Sequence, residues 1–234
     1  MKRPPRLYFS FRSPYSWLTL TRLLADIPDL FARVELLPYW DPDPGTDAAL
    51  RERGAEFHYV QMSKAKHLYL LQDTKRLTQR MGLRMAWPID VDPWWEVPHL
   101  AWLLARDHGR AAEFYAAVVR ARWERGENIC QAGVVADLAA SVGVDADAVA
   151  GAATDPRLRS EGVQCLVQAY DDDVFGIPYL RVGRHRYWGF DRAGDMVDAL
   201  RPGDAVPPAP EQRRAGELVP VGRSYDTDTA GGCG

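Results

Sequence analysis

Strand-like and helix-like patterns of hydrophobic residues alternate at the start of the chain. Leu7–Phe11 is a run of aromatic β-formers, and Ser13 and Pro14 follow it as an N-cap and a first helical residue. Apolar residues then recur every three or four positions up to Ile27, which predicts an amphipathic helix. Val34–Tyr39 predicts a second strand. This order indicates a β-α-β unit with a right-handed crossover.

Helical periodicity dominates from about Met62 to Tyr170. Before this block Asp41–Gly45 predicts a turn region, and within it Trp87–Trp95 predicts an aromatic loop with two prolines. Strand patterns return at Pro178–Val182 and Tyr187–Phe190, which predict a hairpin. The predicted helices of the block are Lys64–Met81, Trp95–His108, Ala111–Arg125, Gly133–Val142 and Asp155–Tyr170.

This order of elements predicts an α/β protein with a thioredoxin-like fold, β-α-β and β-β-α, split by a large all-helical insertion. The thioredoxin-like domain is predicted over residues 1–61 and 174–200, and the helical insertion domain over residues 62–173. Asp191 is expected to cap the last helix. Residues 201–234 are rich in Pro, Gly and Asp and are predicted to form a flexible tail.

Composition and charge narrow the class of protein. The chain has 234 residues, 47% hydrophobic and 26% charged, with a formal net charge of -3. These values are typical of a globular protein and offer no basic surface for nucleic acid. No apolar run reaches the roughly 18 residues of a membrane span, and the basic start precedes a strand instead of a signal-peptide apolar region. The sequence therefore predicts a cytoplasmic protein without nucleic-acid or membrane partners.

The cysteines Cys130, Cys165 and Cys233 lie far apart and form neither a Cys-x-x-Cys pair nor a zinc-site spacing. Neither a dithiol redox enzyme nor a disulfide framework is predicted. Cys165 is expected in the core and Cys233 in a disordered end. No metal site is predicted either. The carboxylates of Asp171–Asp173 are expected to mark a solvated helix end, and isolated histidines such as His99 are expected to be satisfied surface or core residues.

Ser13-Pro14-Tyr15-Ser16 stands at the junction of the first strand and helix, where thioredoxin-type enzymes carry Cys-x-x-Cys. With serine at both ends, thiol–disulfide exchange is chemically unavailable there. A helix N-terminus still offers N–H groups and a positive dipole end to an anion. A serine hydroxyl at that place can donate to the thiolate of a bound small thiol and lower its pKa. The alternative is that Ser13 is a plain N-cap, bonded to the N–H of Ser16.

Gly176–Leu180 is a short apolar strand entered through Ile177 and Pro178. A cis bond before Pro178 would turn the backbone N–H and C=O of Ile177 outward, where a peptide-like ligand could pair with them. A plain X-Pro turn before an edge strand is the alternative.

Four motifs resemble one group of proteins. Tyr8–Leu18 is similar to the opening motif of the 2-hydroxychromene-2-carboxylate isomerases and kappa-class glutathione transferases, two families of the DsbA-like group. Lys66–Leu83 resembles their first insert helix, and Ala121–Ile129 resembles their A-x-W-x-x-G-x-D-I stretch. Val174–Pro178, followed by Tyr187–Arg192, resembles their cis-proline and WGxDR segments.

The resemblance extends over residues 6–200 and implies glutathione or another low-molecular-weight thiol as cofactor, and a homodimer. It implies that Ser13 lies by the thiol sulfur, that Ile177 and Pro178 pair with the tripeptide backbone, and that Asp191 holds the γ-glutamyl end. The pattern of charges along the first insert helix is equally compatible with a salt-bridged helix face. Further thiol-binding candidates by resemblance are Lys66, Phe190 and Arg192.

The sequence thus predicts a thiol-dependent isomerase or transferase, of the 2-hydroxychromene-2-carboxylate isomerase or glutathione S-transferase-like type, acting on a small aromatic or unsaturated substrate. Such an isomerase adds the thiolate, allows rotation about the former double bond and eliminates the thiolate. A redox-inactive DsbA-like protein that binds peptides is the alternative, and a disulfide oxidoreductase ranks last. The tryptophans of the aromatic loop could equally pack the insertion. The substrate-pocket candidates are Arg12, Tyr15, Trp87 and Trp94.

Overall fold

The computed structural model describes residues 4–58 and 62–201, and its centre is a four-stranded sheet in the order β2-β1-β3-β4. Strands β1 (Arg6–Phe9) and β2 (Glu35–Pro38) are parallel. Strands β3 (Tyr179–Val182) and β4 (His185–Trp188) form an antiparallel hairpin, and β3 pairs antiparallel with β1. The predicted thioredoxin-like order of elements is confirmed.

Ten α-helices lie within the described residues, and all but three of them had been expected from the hydrophobic periodicity. The exceptions are α2, α3 and α8. A π-helical turn, Arg120–Glu124, continues α6, and two 3₁₀ turns cover Ala152–Thr154 and Phe190–Arg192. The α-helices are α1 (Pro14–Asp26), α2 (Leu30–Arg33), α3 (Pro44–Glu52), α4 (Lys64–Arg80), α5 (Glu96–Asp107), α6 (Ala111–Val119), α7 (Ala132–Ser141), α8 (Ala146–Ala150), α9 (Pro156–Asp171) and α10 (Ala193–Leu200).

Helix α3 corrects the prediction of a turn region at Asp41–Gly45. Asp43 is its N-cap, accepting the N–H of Thr46 at 2.7 Å, and Pro44 occupies the first turn. The Asp-Pro pair therefore starts a helix, for the same reason that Ser13 and Pro14 start α1: proline lacks the N–H that a helix start leaves unpaired.

Sheet and helical insertion share one hydrophobic core. Leu7, Tyr8 and Phe9 of β1 have no exposed surface. The Phe9 ring packs edge-on against Trp102 of α5 and Tyr115 of α6, with ring centroids 5.1 and 5.5 Å away. The insertion thus lies directly on the central strand, near the end from which α1 begins.

Asp172 corrects the prediction of a solvated helix end. It is 1% exposed, whereas its neighbours Asp171 and Asp173 lie at the surface. Its carboxylate accepts two hydrogen bonds from Arg6, at 2.6 and 2.7 Å, and one from the Tyr8 hydroxyl at 2.6 Å. Arg181 of β3 adds another at 2.5 Å. The end of α9 packs against β1 and β3, so the middle carboxylate is enclosed between two arginines.

Asp191 does not cap the last helix, contrary to the prediction. It lies in the 3₁₀ turn, and the residue at the N-cap of α10 is Arg192, whose side chain makes no capping hydrogen bond. The turn moves the start of α10 one residue further along the chain, and this leaves the Asp191 side chain at the surface.

Among the described residues, none of the helices has both the length and the apolar character needed to cross a membrane. Cys165, on α9, is 5% exposed, which confirms its predicted place in the core. Residues 202–234 of the predicted tail, Cys233 among them, lie outside the described residues.

Candidate active site

Ser13 lies between β1 and α1 and caps the helix. Its side-chain oxygen accepts the N–H of Ser16 at 3.2 Å, and its own N–H donates to the carbonyl of Ser10 at 3.2 Å. A hydroxyl has one donor hydrogen besides its acceptor lone pairs. Capping uses the oxygen, so the hydrogen of the Ser13 hydroxyl stays available to a ligand. The capping and thiolate-binding interpretations of Ser13 are therefore compatible.

The start of α1 offers a second donor. Pro14 at the first helical position has no N–H, and the N–H of Tyr15 makes no hydrogen bond within the described part of the chain. No acidic residue lies in the first turn to offset the positive end of the helix dipole. An anionic sulfur near Ser13 would therefore meet a hydroxyl, a free backbone N–H and this dipole.

The side chain of Tyr15 points to the insertion. Its hydroxyl donates to Asp73 of α4 at 2.8 Å, and Asp73 also accepts a hydrogen bond from Arg76 at 3.0 Å. Burial, the hydrogen bond to Asp73 and the neighbouring groups of Asp73, Tyr69 and Asp191 raise the pKa of Tyr15. The hydroxyl therefore stays protonated and acts as a donor. Residues of one face of α4 and the Asp191 turn meet at Tyr15.

The Ile177–Pro178 peptide bond is cis and directly precedes β3. The antiparallel register pairs Tyr8 with Tyr179, so Pro178 lies at the carboxyl end of β1, where the loop to Ser13 begins. The backbone N–H and C=O of Ile177 make no hydrogen bond with any described residue. An unpaired peptide group therefore borders the start of α1.

The 3₁₀ turn Phe190–Arg192 is held next to Pro178 by a backbone hydrogen bond from the residue before the turn. The N–H of Gly189 donates to the carbonyl of Pro178 at 3.0 Å, and Gly189 adopts a φ of 88°, which favours glycine. The turn packs against α1. The carboxylate of Asp191 is exposed and makes no hydrogen bond or ion pair within the described residues, although its charge reaches Tyr15.

The remaining thiol-binding candidates are peripheral. Phe190 is half-buried, and Arg192 is exposed with Asp195 at 3.9 Å. Lys66 is exposed near the start of α4, two helical turns from Asp73 on the same face.

Of the four predicted substrate-pocket residues, Tyr15 lies in the first turn of α1 and Arg12 lies one residue before Ser13, so both adjoin the site. Arg12 is exposed and forms an ion pair with Asp41. Its guanidinium carbon lies 5.9 Å from the centroid of the Trp95 ring, which is 4% exposed. The Trp95 ring also contacts Arg122, at 4.9 Å.

The structure does not bring Trp87 and Trp94 together. The indole N–H of Trp94 donates to Asp43 at 3.0 Å. Trp87 packs edge-on against Trp123 at 5.9 Å, and Trp123 stacks on Trp17 of α1 at 5.7 Å. Trp87 therefore reaches α1 through one intervening ring. It borders a cavity of about 380 Å³ whose other lining residues are Leu71, Lys75, Thr78, Gln79, Leu83 and Met85.

His99 was expected to be a satisfied surface or core residue, and the structure places it in the core, against partners that no local sequence pattern indicates. It is fully buried on α5, and its Nε2 lies 3.1 Å from the backbone N of Phe11 and 3.3 Å from the Ser10 hydroxyl. Burial lowers the pKa of His99 to about 3, so the ring is neutral. Because 88 residues separate His99 from Phe11, no local motif could have paired them.

Neither cysteine within the described residues is a reactive thiolate. Burial raises the pKa of Cys130 and of Cys165 to about 12 in each case. Within the same residues, no group of three or more His, Cys, Asp or Glu side chains is placed to hold a metal ion.

Comparisons with known proteins confirm the resemblance of the motifs. A model of the DSBA-like thioredoxin domain matches residues 6–201. The chain is 28% identical over 189 residues to the 2-hydroxychromene-2-carboxylate isomerase of Sphingobium xenophagum, across 79% of this chain and 91% of the relative.

Two solved structures share the fold. One is a 2-hydroxychromene-2-carboxylate isomerase, with a TM-score of 0.64 and 22% identity over 82% of this chain and 91% of that one. The other is the cytosolic disulfide reductase DsbM of Pseudomonas aeruginosa with GSH, with a TM-score of 0.52 and 16% identity over 78% of this chain and 87% of that one.

Proposed function

Because the chain belongs to the family of DsbA-like thioredoxin domains, we propose that it is an isomerase that works with a bound low-molecular-weight thiol, glutathione or a close analogue. The observation that carries this proposal is a set of polar groups near the carboxyl end of β1 that have no partner among residues 4–58 and 62–201. They are the hydroxyl hydrogen of Ser13, the N–H of Tyr15, the backbone of Ile177 and the carboxylate of Asp191.

These groups fit the chemistry of a γ-glutamyl tripeptide. Ser13 and Tyr15 offer donors to a thiolate. Ile177 offers one donor and one acceptor to a peptide backbone, in the manner of an added strand. Asp191 offers a carboxylate to an α-amino group, which is a charge-assisted pairing.

When bound, the thiol supplies a nucleophile that adds reversibly to a conjugated double bond. While the adduct lasts, the former double bond is a single bond and can rotate. The work of the protein is to keep the sulfur ionised and in place. The Ser13 hydroxyl and the positive end of α1 stabilise the negative charge. Asp73 holds the Tyr15 hydroxyl, and this fixes the first turn of α1 against the insertion.

Arg12 supports a small unsaturated or aromatic carboxylate as the substrate. The relative from Sphingobium xenophagum is named for a carboxylate. A guanidinium binds a carboxylate through two parallel hydrogen bonds, and that of Arg12 lies at the surface beside Ser13, paired with Asp41. We infer that the substrate carboxylate takes the place of Asp41 or shares Arg12 with it.

Calorimetric titration of the full chain with glutathione, and then with S-methyl glutathione, tests the proposal. We expect saturable binding that is weaker for the S-methyl form, because that form has no thiolate for Ser13 and Tyr15. Coenzyme A serves as an alternative cellular thiol without a γ-glutamyl group. Equal affinity for the two glutathione forms would show that the site does not recognise a thiolate, and would contradict the proposal.

A peptide-binding accessory protein is the second candidate, and one feature favours it. Phe175 and Trp188 are 58% and 37% exposed and lie near the backbone of Ile177. Their rings pack edge to face, with centroids 5.0 Å apart. A Cβ at Gly176 would lie 2.6 Å from the Trp188 indole nitrogen, so glycine is needed for this packing. Binding of an extended peptide together with no binding of any thiol would make this account the leading one.

A further inference from the structure

The loop from Ser10 to Ser13 is fixed by a side chain of the helical insertion. His99 of α5 reaches the loop with Nε2, 3.1 Å from the backbone N of Phe11 and 3.3 Å from the Ser10 hydroxyl. Its Nδ1 lies 2.7 Å from the carbonyl of Trp95, one helical turn earlier. Both ring nitrogens therefore have partners, one within the insertion and one in the loop.

The partners determine the tautomer. A carbonyl can only accept, so Nδ1 of His99 carries the proton and donates to Trp95. Nε2 is then the acceptor, for the N–H of Phe11 and for the hydroxyl of Ser10. The neutral ring suits this arrangement, since a protonated Nε2 would face the N–H of Phe11 donor to donor.

The hydrogen bonds continue from the loop to Ser13. The Ser10 hydroxyl oxygen accepts the N–H of Arg12 at 3.2 Å, and the Ser10 carbonyl accepts the N–H of Ser13 at 3.2 Å. The N–H of Ser10 donates to the side chain of Ser16 at 3.2 Å. The orientation of Ser13 thus depends on Ser10, whose hydroxyl is held by His99.

The imidazole itself is enclosed on several sides. It is completely buried, and it stacks on the indole of Trp40 at 5.2 Å with 14° between the planes. The Phe11 ring packs on it at 5.3 Å. A rigid group on a helix is a more precise support for a site than a loop alone.

We propose that His99 is a positioning residue. It sets the Ser10–Ser13 loop so that the Ser13 hydroxyl and the start of α1 meet the sulfur of the bound thiol, and it thereby couples the insertion to the thiol site. The proposal rests on the thiol-dependent function argued above. It goes further in assigning a role in catalysis to a residue that touches neither thiol nor substrate.

The pKa of the bound thiol is the measurement that separates positioning from mere folding. Thiolate absorbance near 240 nm is titrated for glutathione bound to the wild-type protein, to His99→Phe and to His99→Gln. Phe keeps the ring volume and loses both hydrogen bonds. Gln can accept from Phe11 with its oxygen and donate to Trp95 with its nitrogen.

We expect His99→Phe to raise the pKa of the bound thiol by about one unit, a ten-fold loss of preference for the thiolate. Binding of S-methyl glutathione should change less than about two-fold, because the groups at Ile177 and Asp191 are intact. His99→Gln should restore most of the wild-type value. Val149→Ala, which removes buried methyl groups from α8, is the control for lost stability alone.

A wild-type thiol pKa in a folded His99→Phe protein, with only a lower melting temperature, would overturn the proposal. Should His99→Phe fail to fold, Ser10→Ala breaks the same connection with a small volume change, and an unchanged thiol pKa there would overturn it equally. A wild-type protein that leaves the thiol pKa at its free value would overturn the proposed function, and this inference with it.

Discussion

The two ends of strand β1 treat their polar groups in opposite ways. At the amino end, Arg6 and Tyr8 pair with Asp172, which is 1% exposed and accepts hydrogen bonds on both carboxylate oxygens. At the carboxyl end, the hydroxyl hydrogen of Ser13, the N–H of Tyr15 and the backbone of Ile177 have no partners within the described residues. The polar groups at the amino end are satisfied within the fold, whereas those at the carboxyl end are the groups proposed above to bind a polar ligand.

Substitution of a charged residue at the buried end should strongly destabilise the fold, because the remaining charge stays buried away from water. A buried ion pair adds little stability over apolar residues of the same size, but removal of one partner leaves an uncompensated charge. The open end has the reverse property, since Ser13, Tyr15 and Ile177 are only half-buried and Asp191 is exposed. Mutations at the two ends should therefore separate stability from binding and turnover.

Asp172→Asn should have the largest effect. It leaves Arg6 and Arg181 without their carboxylate, and we expect a loss of about 3 to 5 kcal/mol in the free energy of unfolding. Asp173→Asn is the matched control, because the carboxylate of Asp173 is next in the sequence but exposed, and it pairs with Arg186 at the surface. The control should lose less than about 1 kcal/mol. Urea denaturation measures both, and equal losses would contradict the assignment of Asp172 as the buried anchor.

His99 should give the protein a pH-dependent stability. Burial, aided by the positive charge of Arg122 and opposed by the hydrogen bond to Trp95, lowers its pKa to about 3, against about 6.5 unfolded. Between these values the unfolded chain binds a proton that the native state does not, so stability falls as the pH falls. The loss is about 1.4 kcal/mol per pH unit, or about 2 kcal/mol at pH 5.

Urea denaturation of the wild-type protein and His99→Gln at pH 7.5 and pH 5.0 measures this effect. The variant should lose about 2 kcal/mol less than the wild type over that interval. The other titrating groups are common to both proteins and cancel in the difference. Parallel pH profiles would mean that the pKa of His99 is the same in the folded and the unfolded states.

Ser13→Ala tests whether Ser13 does more than cap a helix, and Ser63→Ala, which removes an equivalent N-cap from α4, is the control. Ser63 caps α4 with the same bond, accepting the N–H of Lys66 at 3.2 Å. Each alanine variant should lose about 1 kcal/mol of stability. We expect Ser13→Ala to lower turnover of an unsaturated carboxylate with glutathione by about ten-fold or more, which corresponds to about 1.4 kcal/mol, and Ser63→Ala to leave turnover unchanged. Equal turnover in the two variants would remove Ser13 from the mechanism.

Asp191→Asn should have the smallest effect, confined to binding. An exposed charge pair is screened by water, so we expect the affinity for glutathione to fall about three- to ten-fold. Cysteinylglycine lacks the γ-glutamyl group, and its affinity should not change. Asp198→Asn, an exposed carboxylate on α10 that pairs with Arg201, is the charge-matched control. Loss of affinity for cysteinylglycine as well would show that Asp191 acts in some other way.

Much of the open end could be predicted from the sequence because its signals are local. Ser13 and Pro14 specify a helix start through capping and a fixed φ. Ile177 and Pro178 mark the entry to β3. The Asp43-Pro44 pair carried the same signal for α3, yet its surroundings of Pro, Asp and Gly were interpreted as a turn.

The buried end was misjudged for a physical reason. Three consecutive aspartates are usually solvated. No local pattern near Asp172 predicts its ion pair with Arg6, which is 166 residues away in the sequence. The pattern predicted a helix that ends at Tyr170 but not the strands against which that end would pack.

The sequence by itself determined the order of strands and helices, the helix start at Ser13 and the loss of the redox cysteines. Each of these follows from backbone preferences and side-chain chemistry within a few residues. The tertiary structure decided that His99 supports the Ser13 loop, that Tyr15 donates to Asp73 and that Trp87 and Trp94 diverge. Periodicity shows which face of a helix is buried, whereas the partner of a buried polar atom depends on how distant elements pack.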